Sequence, residues 1–123
     1  MRSLLAILAA TAWIALNEFV RNQLVLLDQW TVHYAALGLS FPAEPLNGAV
    51  WGIWSLAFTG VILVLAKRFS LLETAALAWS IGFVLMWLVI GNLAVLPLNI
   101  LPIAIPWSLV EAFGAAWIVK RFC

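Results

Sequence analysis

The chain of 123 residues is 67% hydrophobic and only 9% charged, whereas soluble domains carry charge on about a quarter of their residues. A core of this size cannot bury so many apolar side chains, and the surplus is assigned to lipid. Six Lys and Arg against five Asp and Glu leave a formal charge of +1, too weak a field for nucleic acid as a partner. A single Cys and a single His exclude an internal disulfide and the ordinary zinc, haem and iron–sulfur ligand sets within one chain, so no metal or other cofactor is expected.

A helix needs about 20 mainly apolar residues to cross a hydrocarbon layer about 30 Å thick. Four stretches meet that requirement, at about residues 4–27, 48–66, 71–91 and 100–119. The predicted fold is therefore an all-α membrane protein, a four-transmembrane-helix bundle forming one domain over residues 1–123, with a long outer loop at 28–47 between the first two helices. The first span is interrupted in its outer half by Asn17, Glu18, Arg21, Asn22 and Gln23. Arg2 ahead of an apolar run, with Ala10-Thr11-Ala12 behind it, also fits a secretory signal, but apolar residues continue past that site and favour a retained span.

The connection from Asp28 to Asn47 is too long for a helical hairpin. Trp30, Val32, Tyr34 and Leu37 mix there with Asp28, Gln29, Thr31 and His33, and Gly38 stands where a helix would end. That pattern predicts a short helix in the headgroup zone or an extension of the first span, then a turn through Ser40-Phe41-Pro42-Ala43-Glu44-Pro45, with Asn47 capping the second span. The second span is free of charge from Gly48 to Ala66 and stops at Lys67-Arg68. From Thr74 to Val110 no charge occurs; as one helix this stretch would reach about 55 Å, so it must fold back. Asn92, Pro97, Asn99 and Pro102 mark the break, because proline removes a backbone donor and clashes with the preceding turn. Pro102 and Pro106 lie in or near the first turns of the fourth span, where they are read as kinks.

Arg2, Lys67, Arg68, Lys120 and Arg121 then fall on one side, and the opposite loops carry Asp28 and Glu44 with no Lys or Arg. The positive-inside rule puts both termini in the cytoplasm and the protein in the inner, plasma membrane. Cys123 is expected as a free surface thiol in a reducing compartment.

Chemistry is concentrated on the first span. At about 100° per residue, Asn17, Glu18, Arg21 and Asn22 fall within an arc of about 140°. Even permissive insertion scales charge about 2.5–3.5 kcal/mol for a central Arg or Asp, so this stripe must face protein or water. Two readings follow. Glu18 and Arg21 either neutralise each other as structural glue between helices, or form a binding or proton-exchange site in which Arg21 attracts an anionic group. Glu111 lies nine residues before the basic stop of its span with no cation nearby in sequence; it needs a partner from another helix, Arg21 being one candidate and a proton the alternative. Trp30, Trp51, Trp87 and Trp107 fall near the outer boundary and Trp117 near the inner, as an aromatic belt does. Trp13, Trp54 and Trp79 lie deeper and are the candidates for lining a hydrophobic pocket. Gly48 and Gly52 form a GxxxG step that permits close helix approach.

Four short spans with a glutamate in the first resemble the architecture of the small multidrug resistance transporters. The likeness ends there: those proteins have short connecting loops and little charge bias, so no residue role is carried over. The functional expectation is a small transporter or channel-like protein with a polar site on the first helix. The alternatives are a non-catalytic accessory subunit of a larger membrane complex and, third, an intramembrane lipid-modifying enzyme. The expected partners are the bilayer and either further copies of the chain or a larger membrane complex.

Overall fold

A computed structural model describes residues 1–123. Four of its helices are long and apolar enough to cross a membrane: α1 (Arg2–Val25), α3 (Pro45–Ala66), α4 (Leu71–Asn92) and α5 (Leu98–Phe122). The short α2 (Leu27–Ala36) follows α1 after one residue, Leu26. A helix stands at each of the four expected spans; the limits at Ala66 and Leu71 fall where expected, and the other six lie one to three residues away. About half of the 28–47 connection is helix. That helix, α2, ends at Ala36, and Gly38 just beyond it has a φ of 75°, which suits a residue without a Cβ.

The start of α3 corrects one expectation. Glu44, not Asn47, is the N-cap: the Glu44 side chain accepts from the backbone of Asn47, and Asn47 Oδ1 accepts from the Glu44 backbone N–H at 3.0 Å. The reciprocal box works with Pro45 as the first helical residue, where its missing donor costs nothing. Ser70 and Glu73 repeat the device at α4, with Glu73 N–H donating to Ser70 Oγ at 3.2 Å and Ser70 N–H to Glu73 Oε2 at 2.9 Å.

The helix α5 packs on α1, α3 and α4 and so forms the spine of the bundle. Its small residues explain the position. Ala104, Ser108, Ala112, Ala115 and Ala116 are all buried and let neighbouring backbones approach, which is how helices associate where lipid removes the hydrophobic drive. Gly114 extends that close approach: a Cβ there would lie 2.6 Å from the Trp13 indole of α1. Between α1 and α3, Thr11 Oγ1 donates to Thr59 Oγ1 at 3.0 Å, and Thr59 donates to Ser55 O within its own helix. At the basic end Lys120 Nζ donates to Ala66 O and Phe69 O, closing the carbonyl end of α3. At the opposite end His33 Nε2 lies 2.7 Å from Ala94 O and ties α2 to the α4–α5 turn.

The outward faces are apolar. Leu4, Leu8, Leu16, Ile53, Val64, Leu85, Leu88 and Val110 are all more than half exposed, the inverse of a soluble protein and the pattern of a lipid-facing surface. Pro106 sits inside α5 one turn after Pro102, in the segment expected to bend.

Two turns depart from α-helical winding. Val20–Val25 in α1 and Ser80–Val84 in α4 are π-helical; Leu26 N–H reaches back five residues to Arg21 O at 2.8 Å. Each such turn carries an extra residue and widens the helix locally. The wide turn of α1 begins right after Glu18 and Phe19, so the 100° arithmetic holds up to Glu18 and drifts beyond Val20.

Candidate functional site

Arg21 lies at the centre of a buried cluster. Its Nη2 donates to Glu18 Oε1 at 2.6 Å and its Nη1 to Glu111 Oε1 at 2.8 Å. The three side chains are 4%, 3% and 0% exposed. Pairing Arg21 with Glu111 joins residues whose backbone depths differ, and it works because side chains on a helix tilt toward its N-terminus and arginine is long. The guanidinium also lies 5.5 Å from the Phe83 ring centroid, a cation–π contact worth about 2 kcal/mol when desolvated. Phe83 belongs to the π turn of α4 and Arg21 to that of α1. The two wide turns therefore meet at the charged cluster, where single-turn π segments are commonly found.

Of the flanking asparagines, Asn22 holds the Glu18 carboxylate and Asn17 ties α1 to α5 beside it. Asn22 Nδ2 donates to Glu18 Oε2 and to Glu18 O, both at 3.1 Å, and accepts at Oδ1 from Trp30 Nε1 at 3.0 Å. Asn17 Nδ2 donates to Trp13 O at 2.8 Å, and its Oδ1 accepts from Trp107 Nε1 at 3.0 Å. Trp13 Nε1 in turn donates to Glu111 O at 2.9 Å. Asn17, Glu18, Arg21, Asn22 and Glu111 thus form one network spanning α1, α2 and α5.

Charge does not balance within it. Two carboxylates share a single guanidinium, so the fully ionised cluster carries one negative charge in excess. Glu111 Oε2 is buried and has no hydrogen-bond partner. In a low-dielectric setting an uncompensated charge is expensive, and a proton on one carboxyl or an added cation relieves it.

Two cavities adjoin the cluster. One, of about 310 Å³, lies beneath α2 with Glu18, Arg21 and Asn22 on its wall and Trp30, Trp51 and Trp87 around them. Over it Trp30 and Phe41 stack with centroids 5.3 Å apart, and Tyr34 meets Phe41 edge-on at 5.2 Å. The other, of about 460 Å³, lies between α1 and the first half of α3, against Glu18, Phe19, Glu44, Gly48 and Gly52. Both are walled by Glu18, Asn22, Gln23, Asn47 and Trp51, so they adjoin at the carboxylate.

The pocket-lining tryptophans are not those expected. Trp13, Trp54 and Trp79 line neither cavity; they are packing residues. Trp13 crosses α5, Trp54 sits 5.0 Å from Phe58 and 6.1 Å from Phe83, and Trp79 Nε1 donates to Ser108 Oγ at 2.9 Å. All three are half-buried, their covered faces packed against neighbouring helices. The aromatic wall comes instead from Trp30, Trp51 and Trp87, with Tyr34 and Phe41. Their position at the boundary fits membrane anchoring, and the polar stripe of α1 is the sequence signal that points to a second role. Gly48 and Gly52 seat no helix of this chain: a Cβ on either meets nothing within 4 Å, and both front the 460 Å³ cavity.

Comparisons with protein-family models, with curated proteins and with solved structures give no match.

Proposed function

We propose that this chain is a small integral membrane transporter or channel-like protein in which Glu18, Arg21 and Glu111 form a proton- or cation-exchange site, held in the plasma membrane with both termini cytoplasmic. The observation that carries this is the sharing of one guanidinium by two buried carboxylates beside cavities that Glu18 also lines. A purely structural ion pair is neutral when complete; this one is a charge short, so its resting state depends on a proton or cation that can come and go. Asn17 and Asn22 orient Glu18 and its helix. Arg21 keeps the two carboxylates close while leaving one of them to the exchanged ion. The orientation follows from the Lys and Arg at the end where Lys120 closes α3.

The test is flux in reconstituted vesicles carrying an entrapped pH dye, under imposed proton and alkali-cation gradients. Wild type is expected to dissipate a gradient; Glu18→Gln and Glu111→Gln are each expected to slow it at least tenfold with helicity and unfolding midpoint retained. Wild-type vesicles no leakier than empty ones overturn the reading, and a stoichiometric foreign partner retained in mild detergent then assigns the chain to the accessory class.

A further inference from the structure

The two carboxyls that share Arg21 are not equivalent. Glu18 has a donor on each oxygen, Arg21 Nη2 on Oε1 at 2.6 Å and Asn22 Nδ2 on Oε2 at 3.1 Å. Donors on both oxygens stabilise the ionised form. Glu111 has a donor on Oε1 alone, from Arg21 Nη1 at 2.8 Å, while Oε2 is buried without one. Ionised, it would keep an unsolvated anionic oxygen in a side chain that is 0% exposed, a costly way to bury charge. A hydrogen on Oε2 removes that charge and leaves Oε1 free to go on accepting from the guanidinium.

No other group competes for the role. Of the helices packed on α5, α3 has no charged residue from Pro45 to Ala66, and α4 has only Glu73 in its first turn, where the carboxylate holds the Ser70 N–H. Besides Glu18 and Arg21, α1 has only Arg2, at its far end. On α5 itself Lys120 and Arg121 are nine and ten residues further on.

Access favours the smallest ion. Glu18 lines both cavities and Glu111 lines neither. A metal ion gives up its water only to several oxygen ligands, and one that came as far as Glu18 would find both oxygens of that carboxylate already bonded. A proton needs a single lone pair. The Glu18 and Glu111 carboxyls also lie within hydrogen-bonding reach of each other, an arrangement that needs a hydrogen on one of them.

We propose that the ion missing from the cluster is a proton held on Oε2 of Glu111, with Glu18 kept as the anion of Arg21 and serving as the passage between that store and the cavities. On loading, Glu18 takes a proton from hydronium in the cavity and hands it to Glu111, which gains an O–H bond as Glu18 returns to carboxylate. Release runs the same two transfers backwards. This rests on the exchange-site reading and narrows it: protons are exchanged and alkali cations are not.

Infrared spectra of the purified full chain in detergent locate the proton. The chain is made by cell-free synthesis with glutamate carrying carbon-13 in its side-chain carboxyl, so that aspartate stays unlabelled. Wild type is expected to show, at neutral pH, one protonated-carboxyl C=O band per chain, lowered in frequency by the label. In the labelled chain Glu111→Asp is expected to return that band to the unlabelled range, because the acid is then an aspartic acid. Glu18→Asp is expected to leave it in the labelled range. Glu111→Gln is expected to abolish it with helicity retained.

Absence of the band in wild type overturns the proposal. So do a band that loses its label in Glu18→Asp, a band that keeps its label in Glu111→Asp, and loss of the band from both aspartate variants. Alkali-cation gradients that wild-type vesicles dissipate faster than empty ones overturn the restriction to protons. Proton flux with no band on Glu111 sinks this inference alone. A band on Glu111 in a protein that carries no flux sinks the transport reading while the place of the proton stands.

Discussion

At the end of the bundle where α1 begins and α5 finishes, Ala10, Ile62, Ala75, Ala115, Ala116 and Val119 are packed into one apolar cluster. Toward the other end the same helices enclose Glu18, Arg21 and Glu111, with two cavities of about 310 and 460 Å³ against Glu18. Lipid outside is equally apolar at both levels, so the contrast is set inside the protein. Small side chains at the first end bring backbones together and leave no room for a ligand. At the second, long polar side chains and two widened turns meet, and hydrogen bonds are added to a smaller apolar cluster of Leu26, Leu96, Ile100 and Ala104. One end is a clamp and the other a site.

The largest expected effect breaks the polar end. Arg21→Met leaves two buried carboxylates with no cation, and a cost of about 3–5 kcal/mol is expected in reversible unfolding from mixed micelles. The triple variant Glu18→Leu, Arg21→Met, Glu111→Leu removes the unpaired charges as well and is expected to regain all but about 1 kcal/mol, while losing flux. A loss below about 1 kcal/mol for Arg21→Met alone shows that the cluster reaches water and is not buried as described.

A smaller effect addresses the clamp. Gly114→Ala drives a methyl into the Trp13 ring and is expected to cost about 1–3 kcal/mol by overpacking. Because Trp13 Nε1 also donates to the Glu111 backbone, its displacement is expected to alter the flux as well. A destabilised variant with wild-type flux separates the two ends and sharpens the contrast. An unshifted unfolding midpoint contradicts the close approach.

The smallest effect is at the boundary between the two regions. Thr59→Val preserves shape but removes the acceptor of Thr11 Oγ1, and interhelical hydrogen bonds in membranes average about 0.6 kcal/mol. A shift of that order, with flux unchanged, is expected. A change in flux instead extends the site further down the bundle than its hydrogen bonds do.

The polar stripe was legible because charge is conspicuous in an apolar helix: Glu18 and Arg21 could not face lipid at any rotation, and both are buried. Their engagement of Glu111 was one of two readings, since its partner lies 90 residues away in the chain. Phe83 gave no warning at all. An apolar residue in an apolar span looks like any other until a cation rests against it. Gly48 and Gly52 carried a spacing that fits helix contact, and nothing local distinguishes a glycine that admits a neighbouring helix from one that fronts a cavity.

Local hydropathy, prolines and caps determined the number, length and limits of the spanning helices, because each of those depends on a window of about 20 residues and its transfer from water to lipid. Tertiary structure alone decided which carboxylates share Arg21, where the two π turns meet, and which aromatic rings line a cavity. Those outcomes depend on how helices distant in sequence approach and rotate about one another, and hydropathy carries no term for either.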